Sequence, residues 1–292
     1  MKPAAFDRSA EDLGNIVHLE HVNLMVPDQL LATQFYVSAL GLTRDPYVVT
    51  GIDNMWINAG RTQFHLPTGA AQHLRGTVSV VIPDRQALLG RLRDGAAALG
   101  GTPFTFEEQG DYVSVRCPWG NRIRCYEPDA GRFAGTPLGI VELEFGVPAG
   151  CAAGIARFYR EVFATRAMES DGDDGMRSAR VQVGTGQTLV FRETHAELPA
   201  YDGHHIQIYV ADFSGPHRRL QQLGLVSEES NQHQFRFENI VDPETRAPCF
   251  RLEHEVRSMT HPMFGRVLVN RNPQQTARNY SRGRDAFVPP PR

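Results

Sequence analysis

Two hydrophobic periods follow one another along the chain in a fixed order, and this order occurs four times. Each copy begins with alternating apolar residues, which predict a β-strand, and continues with apolar residues three and four positions apart, which predict a helix. Three short strand-like runs then follow. The copies cover residues 18–66, 78–126, 141–193 and 205–256. In the first copy the helix is predicted over residues 29–40, and the first short strand over residues 47–49. The sequence therefore predicts four βαβββ modules.

A βαβββ module leaves one face of its sheet bare, so the modules are expected to pair and their paired sheets to enclose a cup. The predicted fold class is α+β, with cupped mixed β-sheets. A Pro- and Gly-containing linker at residues 128–137 separates the halves, so the expected organisation is a leader (1–16), a first module pair (17–128), a second pair (138–256) and a tail (257–292). The tail has seven arginines and one acid, and either wraps the surface or covers the cup or a partner subunit.

Composition narrows the function classes. The 292 residues have a formal net charge of −3, without the basic excess of a nucleic-acid-binding protein. No apolar run approaches the roughly 20 residues of a membrane helix. The start of the chain has no apolar signal region, and the four cysteines form no Cys-x-x-Cys pair, so a cytoplasmic protein with free thiols is expected. Lys2 is the only lysine, which excludes a lysine Schiff base and a Walker-type phosphate site. We also expect a homo-oligomer.

The first strand of each module carries one marked position, six residues before a turn. These positions are His21, Thr77, Glu142 and His205. Because side chains alternate along a strand, the four should point to the same side of their strands. Two of them are imidazoles, which bind metals. The first and fourth modules are therefore the candidates for a metal site.

The last strand of each module supplies a second marked position at a nearly constant distance. His65 follows His21 by 44 residues, and Glu253 follows His205 by 48. The corresponding residues of modules two and three, Arg124 and Val190, cannot build a site for a divalent metal. Two or three imidazoles with one carboxylate suit Fe(II), Mn(II), Zn(II) or Ni(II), and two histidines with one carboxylate form the facial triad of non-heme iron oxygenases.

The repeated modules, the Phe35-Tyr36 helix followed by Leu40-Gly41-Leu42, and the turn and strand at residues 118–124 resemble the vicinal oxygen chelate superfamily. This superfamily includes glyoxalases, extradiol ring-cleaving dioxygenases, fosfomycin-resistance enzymes and bleomycin-binding proteins. The resemblance covers about residues 16–256. In these proteins the metal ligands lie on the first and last strands of paired modules. A site shared by modules one and four is similar to that of hydroquinone-type ring-cleaving dioxygenases. The chain departs from the catechol enzymes at Glu142, where a first histidine would be expected.

The resemblance implies that His21, His205 and Glu253 are the metal ligands, with Fe(II) preferred over Mn, Zn or Ni. A non-ligand histidine of the cup would move the proton, and His65 and His204 are the candidates. Since His204 adjoins His205, a register shift of one residue would exchange them. Substrate contacts are expected from a set of polar and aromatic residues on or near the cup face, namely Asn23, Gln207, Tyr209, Arg251 and Trp56.

Three functions follow from this interpretation. The first is an iron-dependent dioxygenase of the extradiol type, an oxidoreductase of aromatic compound catabolism that takes dioxygen and a hydroxylated aromatic ring as substrates. The second is a glyoxalase-type metal-dependent lyase or isomerase, which needs no dioxygen. The third is a non-catalytic protein of the same fold that binds a small ligand. Metal analysis separates the third from the others, and oxygen uptake separates the first two.

Overall fold

In the computed structural model of the protein, the described residues are 7–48, 53–172, 175–269, 272, 274, 275, 279 and 284. The first module contains β1 (Ile16–Asn23), α1 (Gln29–Ala32), which continues as a π-helix (Thr33–Ala39), β2 (Thr43–Arg44), β3 (Asn54–Ala59) and β4 (Thr62–Pro67). The second contains β5 (Gly76–Val81), α2 (Arg85–Gly95), β6 (Thr105–Glu108), β7 (Tyr112–Arg116) and β8 (Arg122–Tyr126).

The linker and the second half of the chain follow. A short helix, α3 (Ala130–Phe133), lies in the linker, and a 3-10 turn (Arg8–Glu11) precedes the first module. The third module contains β9 (Gly139–Pro148), α4 (Ala152–Phe163), β10 (Ala167–Asp171), β11 (Arg177–Gly184) and β12 (Gln187–Thr194). The fourth contains β13 (His205–Val210), α5 (Ser214–Leu223), β14 (Val226–Asn231), β15 (Gln234–Val241) and β16 (Pro248–Ser258). The four predicted βαβββ modules are therefore present in the predicted order.

The first short strand of module one lies elsewhere than predicted. Residues 47 and 48 form no strand, and residue 49 lies outside the described part of the chain. The carboxylate of Asp45 accepts the backbone N–H groups of Tyr47 and Val48 at 2.8 and 2.9 Å, which turns the chain away from an extended course. The two-residue strand β2 takes the edge position instead. The apolar run alone predicts a strand, whereas the Asp side chain before it favours a turn.

The strands form two eight-stranded sheets, and each sheet combines modules from both halves of the sequence. The order in the first sheet is β14-β15-β16-β13-β1-β4-β3-β2, which joins modules one and four. The order in the second is β10-β11-β12-β9-β5-β8-β7-β6, which joins modules two and three. The sheets therefore do not coincide with the two module pairs expected from the linker.

One apolar core connects both sheets through the helices. Tyr159 of α4 packs on Phe191 of the second sheet, with ring centroids 5.6 Å apart. Its hydroxyl is 2.6 Å from Nε2 of His254 in the first sheet. The opposite face of the first sheet is polar and forms the cup. Within the described residues, no helix is both long and apolar enough to cross a membrane.

Candidate metal centre

Three histidines on the central strands of the first sheet converge in the cup. Asn23 at the end of β1 lies opposite His205 on β13 and opposite His65 on β4, so these two histidines flank β1 at the same level. His21 lies two residues earlier on β1 and faces the same side. One ring nitrogen from each of His21, His65 and His205 lies within 4.8 Å of the others. Among the described residues, this is the group of side chains suited to holding a metal ion.

Trp56 closes the cluster on the β3 side. Its ring stacks on His65 with centroids 3.8 Å apart and meets the edge of His21 at 5.0 Å. The His21 ring is 5.8 Å from that of His65 and 5.9 Å from that of His205. His21 is fully buried and Trp56 and His205 are nearly so, which leaves water little access to His21 and His205. His65 is half-buried.

Burial keeps the three imidazoles neutral. It lowers the pKa of His65 to about 2 and lowers the pKa values of His21 and His205 well below the ordinary histidine value. The positive charges of Arg236 and Arg257 act in the same direction. A neutral imidazole has a free lone pair, which is the form that binds a metal.

His21 and Gln207 lie directly opposite each other on β1 and β13, and both have buried polar atoms without a hydrogen-bond partner among the described residues. These atoms are Nε2 of His21 and both amide atoms of Gln207. A buried polar atom without a partner is costly, so each marks space for a ligand, an ion or water. Three neutral imidazole nitrogens, one of them unengaged, fit a divalent transition metal.

His65 is held at both ring nitrogens. Nδ1 lies 2.6 Å from the Asn23 amide nitrogen, and Nε2 lies 2.8 Å from the Asn54 side-chain oxygen. One of these hydrogen bonds must open for His65 to become a ligand. Asn54 was not predicted as a site residue, because nothing in the pattern of β3 marks it.

Glu253, the predicted carboxylate ligand, lies directly opposite His205 in the parallel pair β13–β16. Its Oε1 atom is 3.5 Å from Nδ1 of His205. Arg236 on β15 binds Glu253 and Glu255 through its two terminal nitrogens. Burial raises the pKa of Glu253, and the Arg236 charge opposes this effect. Glu253 thus lies beside one histidine of the cluster, and its ion pair with Arg236 would have to loosen before it could serve as a further ligand.

Two predicted residues lie away from the cluster. His204 precedes β13, so its side chain points the opposite way from that of His205, and its Nδ1 is 2.7 Å from Oδ1 of Asp202. Arg251 is exposed and pairs with Glu238 at 2.6 Å. Because the His204 side chain points away from the cup, it has no contact there through which it could move a proton. Asn23, Trp56, Gln207 and Tyr209, by contrast, all lie on the cup face.

Glu20, Arg236 and Arg257 complete the polar lining and were absent from the sequence prediction. Arg236 alternates with Gln234 along β15 and could have been assigned to the cup by its period of two. Glu20 could not have been assigned to the cup in this way, because an irregularity between Leu19 and His21 brings it to the same face as His21.

The start of the tail covers one end of the cup. The ring of Phe264 lies 4.8 Å from that of Tyr209, and the buried Arg266 pairs with the buried Asp45 at 2.6 Å. The backbone oxygen of Leu268 accepts from Asn58 at 3.0 Å. A cavity of about 610 Å³ is lined by this segment together with His18, Glu20 and Arg61, and its lining does not include the three clustered histidines.

The second sheet has no comparable group in its described residues. Arg124 pairs with Glu144 at 3.3 Å, and Arg180 pairs with Glu142 at 3.0 Å. The carboxylate at the marked position of module three is thus engaged by an arginine. Modules two and three thus carry arginine–carboxylate ion pairs at positions equivalent to the histidine cluster.

No family model matches the sequence, and no curated protein matches it. The fold, however, is similar to that of solved structures. A candidate dioxygenase from Bacillus subtilis is 13% identical with a TM-score of 0.56, over 86% of this chain and 87% of that chain. Glyoxalase I from Zea mays is 14% identical with a TM-score of 0.58, over 83% and 92% of the two chains. With its four βαβββ modules in two cupped sheets, the chain has the vicinal oxygen chelate fold.

Proposed function

We propose that the protein is a metal-dependent enzyme that binds a small molecule at His21, His65 and His205. The observation that carries this proposal is the convergence of three neutral imidazoles, two buried and one half-buried, within 4.8 Å in the cup. The unpartnered amide of Gln207 next to them supplies a donor and an acceptor for a bound molecule. Glu253 is the proposed additional ligand.

The more specific proposal is an Fe(II)-dependent dioxygenase that cleaves a hydroxylated aromatic ring. An Fe(II) ion held there would act as a Lewis acid toward the substrate's oxygens and as the binding site for dioxygen. The protein's own residues would orient the metal ligands and the substrate and would shield the site from water. One of Asn23 and Asn54 would keep its hydrogen bond to the His65 ring while the other ring nitrogen binds the metal. Trp56 excludes water from one side, and Gln207 can hydrogen-bond a substrate oxygen. The proposal draws support from one fold neighbour that is named as a dioxygenase.

Metal content of protein purified without chelators tests the site. We expect stoichiometric transition metal in the wild type and loss of most of it in His21→Ala, His65→Ala and His205→Ala, because each substitution removes one ligand atom. His217→Ala is the control, since that histidine pairs with Glu229 on α5 and β14, outside the cup. Glu253→Gln tests the additional ligand. Equal metal content in all five variants would disprove the site.

Oxygen consumption tests the reaction. Iron-loaded wild-type protein is expected to take up oxygen with hydroquinones or catechols. The variants His21→Ala, His65→Ala and His205→Ala are expected to take up none. Bound metal without oxygen uptake across both substrate classes would leave the metal site standing and favour the glyoxalase-type lyase or isomerase. Absence of bound metal would favour a ligand-binding protein without catalysis.

A further inference from the structure

A β-bulge in β1 brings Glu20 into the cup beside His21. Leu19 lies opposite Ile208 and His21 lies opposite Gln207, although Ile208 and Gln207 are adjacent, so Glu20 is an extra residue with no counterpart on β13. In a regular strand, Glu20 would face the apolar core, where its charge would be costly. The bulge turns this side chain toward the polar face, where it is almost fully buried.

The Glu20 carboxylate contacts three polar groups. Its Oε2 atom is 3.3 Å from Nδ1 of His21 and accepts from Nη1 of Arg257 at 3.1 Å. Its Oε1 atom accepts from the Tyr209 hydroxyl at 3.2 Å. Tyr209 in turn packs against Phe264, which belongs to the covering segment, residues 259–269 at the start of the tail. The carboxylate is therefore held in place from three sides.

The contact with His21 determines which ring nitrogen is available to a ligand. A carboxylate only accepts hydrogen bonds, so its position beside Nδ1 favours the tautomer with the proton on Nδ1. That tautomer has its lone pair on Nε2, and Nε2 is the buried atom without a partner. Carboxylates that accept from the second nitrogen of a metal-binding histidine fix the ring's tautomer and orientation and increase its basicity.

We infer that Glu20 is a positioning residue that holds His21 with Nε2 directed into the metal site. This inference rests on the proposed metal-binding function. The competing role for Glu20 is purely structural, as the counter-ion of Arg257. The two roles differ in their effect on the His21 tautomer, which a counter-ion role would leave unchanged.

Glu20→Met tests the inference, because it keeps the approximate size of the side chain and removes both acceptor oxygens. Glutamine would keep an acceptor oxygen beside Nδ1, since Arg257 can only donate to that position. The matched control is Glu144→Met, which removes an arginine-paired carboxylate of the second sheet. All proteins carry Trp119→Phe, which leaves Trp56 as the single tryptophan, 5.0 Å from His21. Nitrogen-15 NMR of the metal-free proteins reports the His21 tautomer, and quenching of Trp56 fluorescence by Co(II) reports metal affinity.

We expect the Nδ1–H tautomer in the wild-type background and in the control. Glu20→Met should populate the Nε2–H tautomer and weaken Co(II) binding about 10- to 100-fold. An Nε2–H tautomer in the wild-type background would overturn the inference without any variant. So would weaker binding in Glu20→Met with an unchanged tautomer, or a changed tautomer with unchanged affinity.

The experiment separates failure of this inference from failure of the proposed function. If the wild-type background binds no Co(II), both fail. If it binds Co(II) and Glu20→Met matches it in affinity and tautomer, only the inference fails. Thermal unfolding of each variant confirms that the compared proteins are folded.

Discussion

Glu253 and His254 are adjacent residues in the middle of β16, and their side chains lie on opposite faces of the first sheet. The His254 side chain lies in the apolar core, stacked on Phe237 with ring centroids 4.5 Å apart. Its Nδ1 is 2.8 Å from the Leu252 carbonyl, and its Nε2 is 2.6 Å from the Tyr159 hydroxyl. This fully satisfied core histidine differs from His21, whose Nε2 has no partner among the described residues.

Tyr159→Phe tests the core role of this hydrogen bond. The substitution keeps the ring and leaves Nε2 of His254 buried without its partner. We expect a loss of about 1–3 kcal/mol in the free energy of unfolding, measured by urea denaturation. Tyr112→Phe, at a half-buried tyrosine of β7, should change it by less than about 0.5 kcal/mol. A Tyr159→Phe value as small as the control's would show that the hydrogen bond contributes little.

At the scale of elements, one attachment of the covering segment at residues 259–269 is a buried ion pair. Arg266 and Asp45 are almost completely buried, and Asp45 also accepts from the Gln63 side chain at 2.8 Å. Gln63 lies opposite His21 in the register of β1 and β4. The ion pair that attaches the segment is thus linked, through Gln63, to the strand position directly opposite His21.

Arg266→Ala is expected to release this segment. It leaves the Asp45 charge buried without its cation, and removal of one partner of a buried pair lowers the free energy of unfolding by about 3–5 kcal/mol. Because other groups still donate to Asp45, we expect a loss at the lower end of this range. Hydrogen exchange should show faster exchange of the amides over residues 263–269. Arg61→Ala is the control, since Arg61 is exposed and lines the same cavity. Unchanged protection in Arg266→Ala would assign the attachment to the apolar and backbone contacts.

At the scale of the whole molecule, the two sheets interleave the halves of the chain. The pairing of β1 with β13 joins the first and fourth modules, and the pairing of β5 with β9 joins the second and third. Neither half can unfold alone without breaking a sheet. The candidate metal centre likewise needs strands from both ends of the sequence.

Unfolding in urea should therefore be one cooperative transition. Trp56 lies in the first sheet, and Trp119 lies in the turn between β7 and β8 of the second. Fluorescence of the single-tryptophan variants Trp56→Phe and Trp119→Phe follows the two sheets separately. Each variant's fluorescence midpoint should coincide with its own circular dichroism midpoint. Separate transitions within one variant would show that the sheets unfold independently.

The sequence by itself determined the modules and, away from the bulge in β1, the faces of the strands that carry the marked residues. Periods of two and 3.6 follow from backbone geometry, so the helix predicted over residues 29–40 is present as α1 and its π-helical continuation. The same period placed His21, His65 and His205 on one side of their strands. A local pattern carries this information because neighbouring residues decide it.

Only the tertiary structure decided which modules share a sheet and which atoms meet. Pairing of modules one and four depends on contacts between residues far apart in the chain, such as Tyr209 and Glu20. The bulge that brings Glu20 to His21 arises from the register between β1 and β13, and the Arg236 ion pair with Glu253 arises from the packing of β15 on β16. Such choices have no local signature, because they are set by the partner strand.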